Sequence, residues 1–296
     1  MEKSPLILML GATGLVASQI LEDWHHPSNI LTPGIADLDI LNQEALAVYL
    51  RKNPTPVIIN FVGFTNLPEA EKDKGNKKGL CWQLNVGASA RLAQICQEED
   101  IFLIHISTDN VFYGLKSDPG PYSENHPLMD DHTQVNWYGY TKAQGELAIR
   151  NSSIKSAIVR ISHPFGNPQI DRDFAQKVIT YINAGYTLFD DQHFTPTYLP
   201  DLSLALKKIA DEQISGIYHV ACQPVSTPFE FAEYIAKQKK LAQVKVGKID
   251  EWTEKNPNSY PRVKFGGLET DFTQAILQVK FHSWPEALDE FLPKIK

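Results

Sequence analysis

Residues 136 to 150 read "NWYGYTKAQGELAIR", with Tyr138 and Lys142 four apart at the head of a helical stretch. On a helix, positions i and i+4 share one face with their Cβ atoms about 5–6 Å apart, so Lys142 can reach over Tyr138. A phenol titrates near 10, and acid or base work near neutrality asks for a drop of roughly 3 units, about 4 kcal/mol. An exposed lysine pairing supplies only about 0–1 kcal/mol. The pair is therefore chemically useful only if it is partly desolvated beside a cofactor, and otherwise it is an ordinary solvated face. The bare spacing is cheap, because Tyr260 and Lys264 repeat it. There Pro261 and the following Gly266-Gly267 argue against a helix.

Two other stretches carry polar chemistry. "LILMLGATGLVAS" sets Gly11 and Gly14 between a strand and a helix, with Ala17 where a third glycine would complete the pattern. Gly11 permits the tight turn, Gly14 lets backbone approach a pyrophosphate on the helix N-terminus, and Ala17 serves close helix–strand packing. "HISTDNVFYG" places Ser107 and Thr108 at the end of a strand, where ligands of open α/β sheets bind. Ser-Thr-Asp is also common turn chemistry.

The elements that must position these residues alternate. Apolar runs at 6–10, 57–62, 101–107 and 156–162 read as buried strands, interleaved with helical stretches at 15–24, 42–53, 85–100 and 136–150. Strands apolar on both faces, separated by helices, predict a parallel sheet covered on both sides. A weak strand is expected at 29–31, cut short by Pro33-Gly34. Beyond 162 the pattern loosens and prolines recur at 164, 168, 196 and 200. "GIYHVA" at 216–221 reads as one more sheet strand, and two later helices begin at Thr227-Pro228 and Ser283, each with a capping residue.

Composition bounds the partners. The 296 residues carry 28 basic and 35 acidic side chains for a formal charge of −7, with 43% apolar and 21% charged residues. The densest charged cluster, "EKDKGNKKG" at 71–79, mixes both signs and reads as a solvated loop, which argues against nucleic acid. Cys81, Cys96 and Cys222 are widely spaced, with no C-x-x-C and no metal-ligand pattern, so reduced thiols, no metal and a cytoplasmic location are expected. The uncharged run from Ser4 to Leu21, preceded by Lys3, superficially imitates a signal peptide. Its strongly apolar part is only Leu6 to Leu10, too short for a leader core or a membrane span.

Taken in order, a glycine turn, Ser-Thr-Asp at a strand end and Y-x-x-x-K heading a helix resemble the extended short-chain dehydrogenase/reductases. Within them "STDNVFYG", "GPYSENHPL", "YGYTKAQGE", "IVRIS", "DDQHFTPTYLPDL", "GIYHVA" and the late "YPRVKFGGLETDFTQAILQVKFHSWPEAL" are similar to segments of the dTDP-4-dehydrorhamnose reductases. The resemblance implies a Rossmann-type doubly wound parallel sheet with a smaller C-terminal α/β substrate lobe. It places residues 1–165, with 200–222 returning, in the nucleotide domain, and 166–199 with 223–296 in the lobe. It implies NADP or NAD as cofactor and a nucleotide-sugar substrate. Tyr138 would protonate the carbonyl oxygen, Lys142 would hold the nicotinamide ribose and depress the Tyr138 pKa, and Thr108 would bind the same oxygen.

The same resemblance places Gly11, Thr13, Gly14, Leu15 and Val16 at the pyrophosphate, Asp37, Leu38 and Asp39 near the adenine, and Asn60, Phe61, Val62 and Gly63 along the cofactor. Asn85 and Ser107 would support this side. Asp109, Asn110, Val111, His163, Asp173, Phe174 and Gln192 would face the substrate. Three positions depart from the family: Asn110 replaces a tyrosine, His163 a tryptophan, and Asp173 an asparagine. All lie in the substrate half, and His163 also reads as a plain loop residue. The position of an acidic NAD signal or an arginine NADP signal is filled by Thr32-Pro33-Gly34, which gives neither. A related epimerase or dehydratase stays open, although only Asp109 offers an acid beside Thr108. So does a non-catalytic regulatory subunit resembling the methionine adenosyltransferase β-subunit. A homodimer is compatible with these readings, and nothing in the sequence decides it.

Overall fold

The computed structural model describes residues 5–25 and 27–295; Lys3 and Ser4 of the apparent leader lie outside them. The first half runs β1 (Ile7–Leu10), α1 (Leu15–Asp23), β2 (Ile30–Leu31), α2 (Gln43–Lys52), β3 (Val57–Asn60), α3 (Leu67–Lys72) and α4 (Leu80–Trp82). A π-helical turn, Gln83–Gly87, leads into α5 (Ala88–Glu98), β4 (Phe102–Thr108), a 3₁₀ turn (Asp109–Val111), α6 (Trp137–Arg150) and β5 (Ser156–Ile161). The remainder comprises α7 (Phe174–Asn183), β6 (Thr187–Phe189), α8 (Leu199–Glu212), β7 (Gly216–His219) and α9 (Pro228–Lys239). It closes with β8 (Lys245–Gly247), α10 (Ile249–Lys255), α11 (Asp271–Leu277) and α12 (Trp284–Phe291).

Six strands form one sheet in the order β2-β1-β3-β4-β5-β7, every neighbour parallel. This is the Rossmann-like α/β sandwich that strands apolar on both faces predict: β1, β3 and β4 are buried along their whole length. One face packs on α1 and α8 through Ile20, Leu202, Leu206 and Ile209, the other on α2 and α5 through Leu46, Leu50, Leu92 and Ile95. The weak second strand is two half-buried residues at the sheet edge. The strand order reverses direction between β1 and β3, so a crevice opens outside their carboxyl ends.

The proline-rich stretch after 162 proves more regular than its composition suggests. It holds α7, whose Ala175, Val178 and Ile182 are buried at helical spacing, and α8, whose Pro200 sits harmlessly in the first turn. Both late helices carry capping boxes, Thr227 with Glu230 and Ser283 with Glu286. Strands β6 and β8 pair in parallel apart from the main sheet. Around them a second core gathers Phe165, Phe194, Phe231, Ile235, Leu288 and Phe291. Tyr260 to Lys264 is not helical, as its proline and glycines foretell.

Candidate active site

Helix α6 lies close over the strand ends because two of its residues have no side chain. A Cβ on Gly139 would stand 2.1 Å from the Asn110 carbonyl oxygen, and one on Gly145 would stand 2.2 Å from that of Asn85. The helix thus rests on the 3₁₀ turn after β4 and on the π turn before α5. Asn136 caps it, accepting from the Gly139 N–H, and its amide donates to Asn110 Oδ1 at 3.1 Å.

This placement buries both members of the opening pair, and they find different partners. Tyr138 meets the Thr108 side chain; burial pushes its phenol well above the ordinary value, Thr108 acts against that rise, and Asp109 adds to it. Lys142 turns the other way. Its Nζ donates to the Ile106 carbonyl at 2.7 Å and lies 3.1 Å from His105 Nε2. The expectation that Lys142 depresses the Tyr138 pKa is therefore not met in this state: a lysine stem spans several tertiary partners, and strand β4 offers it better ones. Burial lowers Lys142 to about 8, against the raising effects of Glu146 and Cys81.

On the glycine-turn side, Gly11 has φ +80°, and a Cβ there would crowd Val62 at 3.2 Å. Helix α1 then opens at Leu15 with no side-chain cap and no acidic residue in its first turn, which leaves its leading N–H groups for an anion. Thr13 is exposed, and Gly14 and Val16 are half-exposed beside it. Asp37 is exposed but its carboxylate accepts from the Gly34 N–H, and Leu38 is buried in the core, so its side chain is not free to line a nucleotide. Phe61 and Val62 pack partly against the two sheet cores. Gly63 faces the lysine: its missing Cβ would lie 3.9 Å from Lys142 Nζ and 3.1 Å from Asn85 Oδ1. Asn85, on the π turn, accepts from the Phe64 N–H at 2.8 Å and donates to Thr141 Oγ1 at 2.9 Å, tying this loop to α6.

Ser107 does not join the site. It is buried and its hydroxyl donates to Glu146, which forms an ion pair with Arg160 at 2.7 Å, both fully buried. Alternation turns Ser107 to the face of β4 that His105 shares, and there its hydroxyl is committed to Glu146.

Thr108 begins the other half. Its hydroxyl donates to Asp109 Oδ1 at 3.1 Å, and Asp109 Oδ2 accepts from Ser162 at 2.7 Å. Ser162 Oγ in turn lies 2.8 Å from His163 Nδ1. Since the serine proton goes to the carboxylate, the imidazole Nδ1–H is the donor in that last bond. His163 adopts φ +44° and packs edge-on against Phe174 and tilted against Phe194, with ring centroids 4.8 and 4.7 Å away. Burial lowers its pKa, Asp109 opposes that, and Arg262 and Lys177 reinforce it. A continuous polar row thus links Tyr138 to His163.

Asn110 donates to Asp109 Oδ1 at 3.0 Å, and Gln192 donates to the Val263 carbonyl at 3.0 Å. Two expected substrate contacts are corrected. Val111 is wholly buried with Phe112, Tyr122 and Met129. Asp173 caps α7: one carboxylate oxygen accepts from the Gly166 and Asn167 N–H groups, the other from Ala175 and Gln176. Aspartate and asparagine are both good caps, so an exchange between them need not signal a ligand. The sequence reading misses His105, Ser162 and Arg262. A histidine inside an otherwise apolar buried strand was the available signal for the first.

The three cysteines are free and buried. Among the described residues no helix is long and apolar enough to cross a membrane.

The family model described as RmlD substrate binding domain matches residues 5–296. A dTDP-4-dehydrorhamnose reductase of Aggregatibacter actinomycetemcomitans is 30% identical, over 69% of this chain and 68% of its own. Methionine adenosyltransferase 2 subunit beta of Rattus norvegicus is 28% identical, over 78% and 71%. Among solved structures, dTDP-4-dehydrorhamnose reductase from Bacillus anthracis in complex with NADP superposes with a TM-score of 0.85 at 23% identity, covering 99% of this chain and 100% of that one.

Proposed function

Because the chain belongs to the RmlD substrate-binding-domain family, we propose that it is an NAD(P)H-dependent reductase of a keto group on a nucleotide-activated sugar. The observation that carries this reading is the meeting of Thr108 and Tyr138 near buried Lys142, at the strand ends where Gly11 and Gly63 let the backbone pack closely. The uncapped start of α1 fits a dinucleotide. Gly11, Thr13, Gly14, Leu15 and Val16 would hold its pyrophosphate, Asp37 would lie towards its adenine, and Asn60 to Gly63 with Lys142 would line its nicotinamide side. When bound, the cofactor supplies the hydride.

The protein's own share is proton placement. Tyr138, kept protonated by burial, donates to the carbonyl oxygen being reduced, and Thr108 hydrogen-bonds the same oxygen. Asp109, Asn110, His163, Phe174 and Gln192 bound the sugar end. We assign residues 1–165 and 200–222 to the nucleotide half and 166–199 with 223–296 to the substrate lobe; the separate core around Phe194, Phe231 and Phe291 supports that division.

A second reading, a nucleotide-holding regulatory subunit, is favoured by the similarity to methionine adenosyltransferase 2 subunit beta. Absorbance-monitored oxidation of NADPH, then NADH, with a dTDP-4-keto-6-deoxy sugar separates the two. Turnover is expected. Dinucleotide binding without turnover on any keto-sugar nucleotide would transfer the assignment to the regulatory reading.

A further inference from the structure

Asn60, His105 and Lys142 form a buried row at the ends of β3 and β4, and the row is anchored at both ends on backbone groups. At one end the Val62 N–H donates to Asn60 Oδ1 at 3.0 Å. At the other, Lys142 Nζ donates to the Ile106 carbonyl at 2.7 Å. A backbone N–H can only donate and a carbonyl can only accept, so neither end can reverse. Between them Asn60 Nδ2 lies 3.2 Å from His105 Nδ1, and His105 Nε2 lies 3.1 Å from Lys142 Nζ.

The direction of the row follows. With Oδ1 committed to Val62, Asn60 presents its NH₂ group to the ring. Turning the amide over would set two donors against each other at Val62. His105 Nδ1 is therefore an acceptor, and the single ring hydrogen sits on Nε2, aimed at Lys142. An ammonium has no lone pair to receive it, whereas an amine has one and keeps a hydrogen for Ile106. A charged imidazolium is excluded by the same amide and by burial, which holds His105 well below the histidine range.

We propose that Asn60 and His105 are positioning residues whose donor direction favours the neutral amine of Lys142 over its ammonium in the ligand-free protein. The donors run one way, from Val62 through Asn60, His105 and Lys142 to the Ile106 carbonyl. The surroundings do not reverse it. On α6, Tyr138 meets Thr108 and Glu146 is engaged by Arg160 and Ser107. Cys81 of α4 bonds the Thr141 hydroxyl, and Asn85 of the π turn is committed to Phe64 and Thr141. Of these groups Glu146 and Cys81 favour the ammonium, and burial of Lys142 outweighs them.

The test needs no cofactor or substrate, so its failure is separate from failure of the reductase reading. Protein labelled with ¹³C at lysine Cε is titrated by NMR, the Lys142 signal being the one lost in Lys142→Arg. The wild-type midpoint is expected well below the ordinary value of about 10.4. In Asn60→Asp the carboxylate accepts from both Val62 and His105 Nδ1–H, which turns Nε2 into an acceptor for an ammonium. The midpoint should rise by about one unit or more. His105→Phe removes the opposing N–H and should also raise it, whereas burial alone predicts an equal or lower value. If Asn60→Asp does not fold, His105→Phe decides. A wild-type midpoint at the ordinary lysine value, or one unmoved or lowered in the folded variants, overturns the proposal.

Discussion

Tyr138 faces the Thr108 side chain, while Lys142, one helical turn further on, is turned away towards His105 and the Ile106 carbonyl. The two residues that read as one unit along the chain thus belong to two polar rows in space. One runs from Tyr138 through Thr108, Asp109 and Ser162 to His163. The other runs from Val62 through Asn60 and His105 to Lys142. They separate the proton-donating face of the site from its cofactor face.

Tyr138→Phe removes the proton donor and leaves the second row intact. Turnover should fall by about 10²–10⁴-fold, the usual range for losing a positioned acid, with dinucleotide affinity nearly unchanged. Steady-state rates and fluorescence titration of NADPH check both halves. A Phe variant as fast as wild type would remove Tyr138 from the chemistry.

His163→Phe keeps a ring between Phe174 and Phe194 but leaves Ser162 without its imidazole donor. The expected loss is about 1–3 kcal/mol in kcat/KM for the sugar nucleotide, roughly 5- to 150-fold. Dinucleotide binding should stay within about twofold, since no step of the second row is touched. Equal losses for both ligands would mean that His163 only supports the fold.

Asp173→Asn introduces the residue that the resemblance leads one to expect, yet it should be unfavourable here. Both carboxylate oxygens accept backbone N–H bonds, and an amide nitrogen would face donors on one side. Unfolding in urea should show a loss of about 1–3 kcal/mol with little change in KM. A fall in substrate affinity without loss of stability would restore Asp173 to the substrate site.

Acid should destabilise the protein through its buried histidines. His219 is lowered to about 3 by burial and by Arg160 beside it, and His105 is lowered as well. In the unfolded chain both titrate near 6.5, so below that pH the unfolded state binds protons that the folded state refuses. The His219 contribution is full above pH ~6.5 and is lost progressively down to about pH 3, at up to about 1.4 kcal/mol per pH unit, and His105 adds to the decline in the same direction. Asp173, pushed up to about 6 by burial, works in the opposite direction between about 6 and its unfolded value of about 3.9, and offsets part of the slope. Urea midpoints at several pH values should show the decline, and His219→Gln should flatten it.

Much of the sheet was readable because its strands must be apolar on both faces, and the glycine turn because strand, turn and helix follow in order. Thr108 and Tyr138 were readable from order and context. What escaped reading depended on choices made in three dimensions. The partner of a flexible lysine and the pairing of β6 with β8 are decided by neighbours distant in sequence. His105 and Ser162 stood inside quoted segments, but their significance comes from what Lys142 and Asp109 require.

The bare faces of Gly139 and Gly145 have a consequence for variation in this protein. Helix α6 is seated main chain upon main chain, so the height of Tyr138 and Lys142 above the sheet is gauged by peptide groups. His163, Phe174 at the start of α7 and Gln192 stand outside that contact and can change their side chains without moving the gauge. On the proposed function, the scaffold would uncouple which sugar is admitted from where the proton is delivered, so that a new preference could be installed in the lobe without retuning the chemistry.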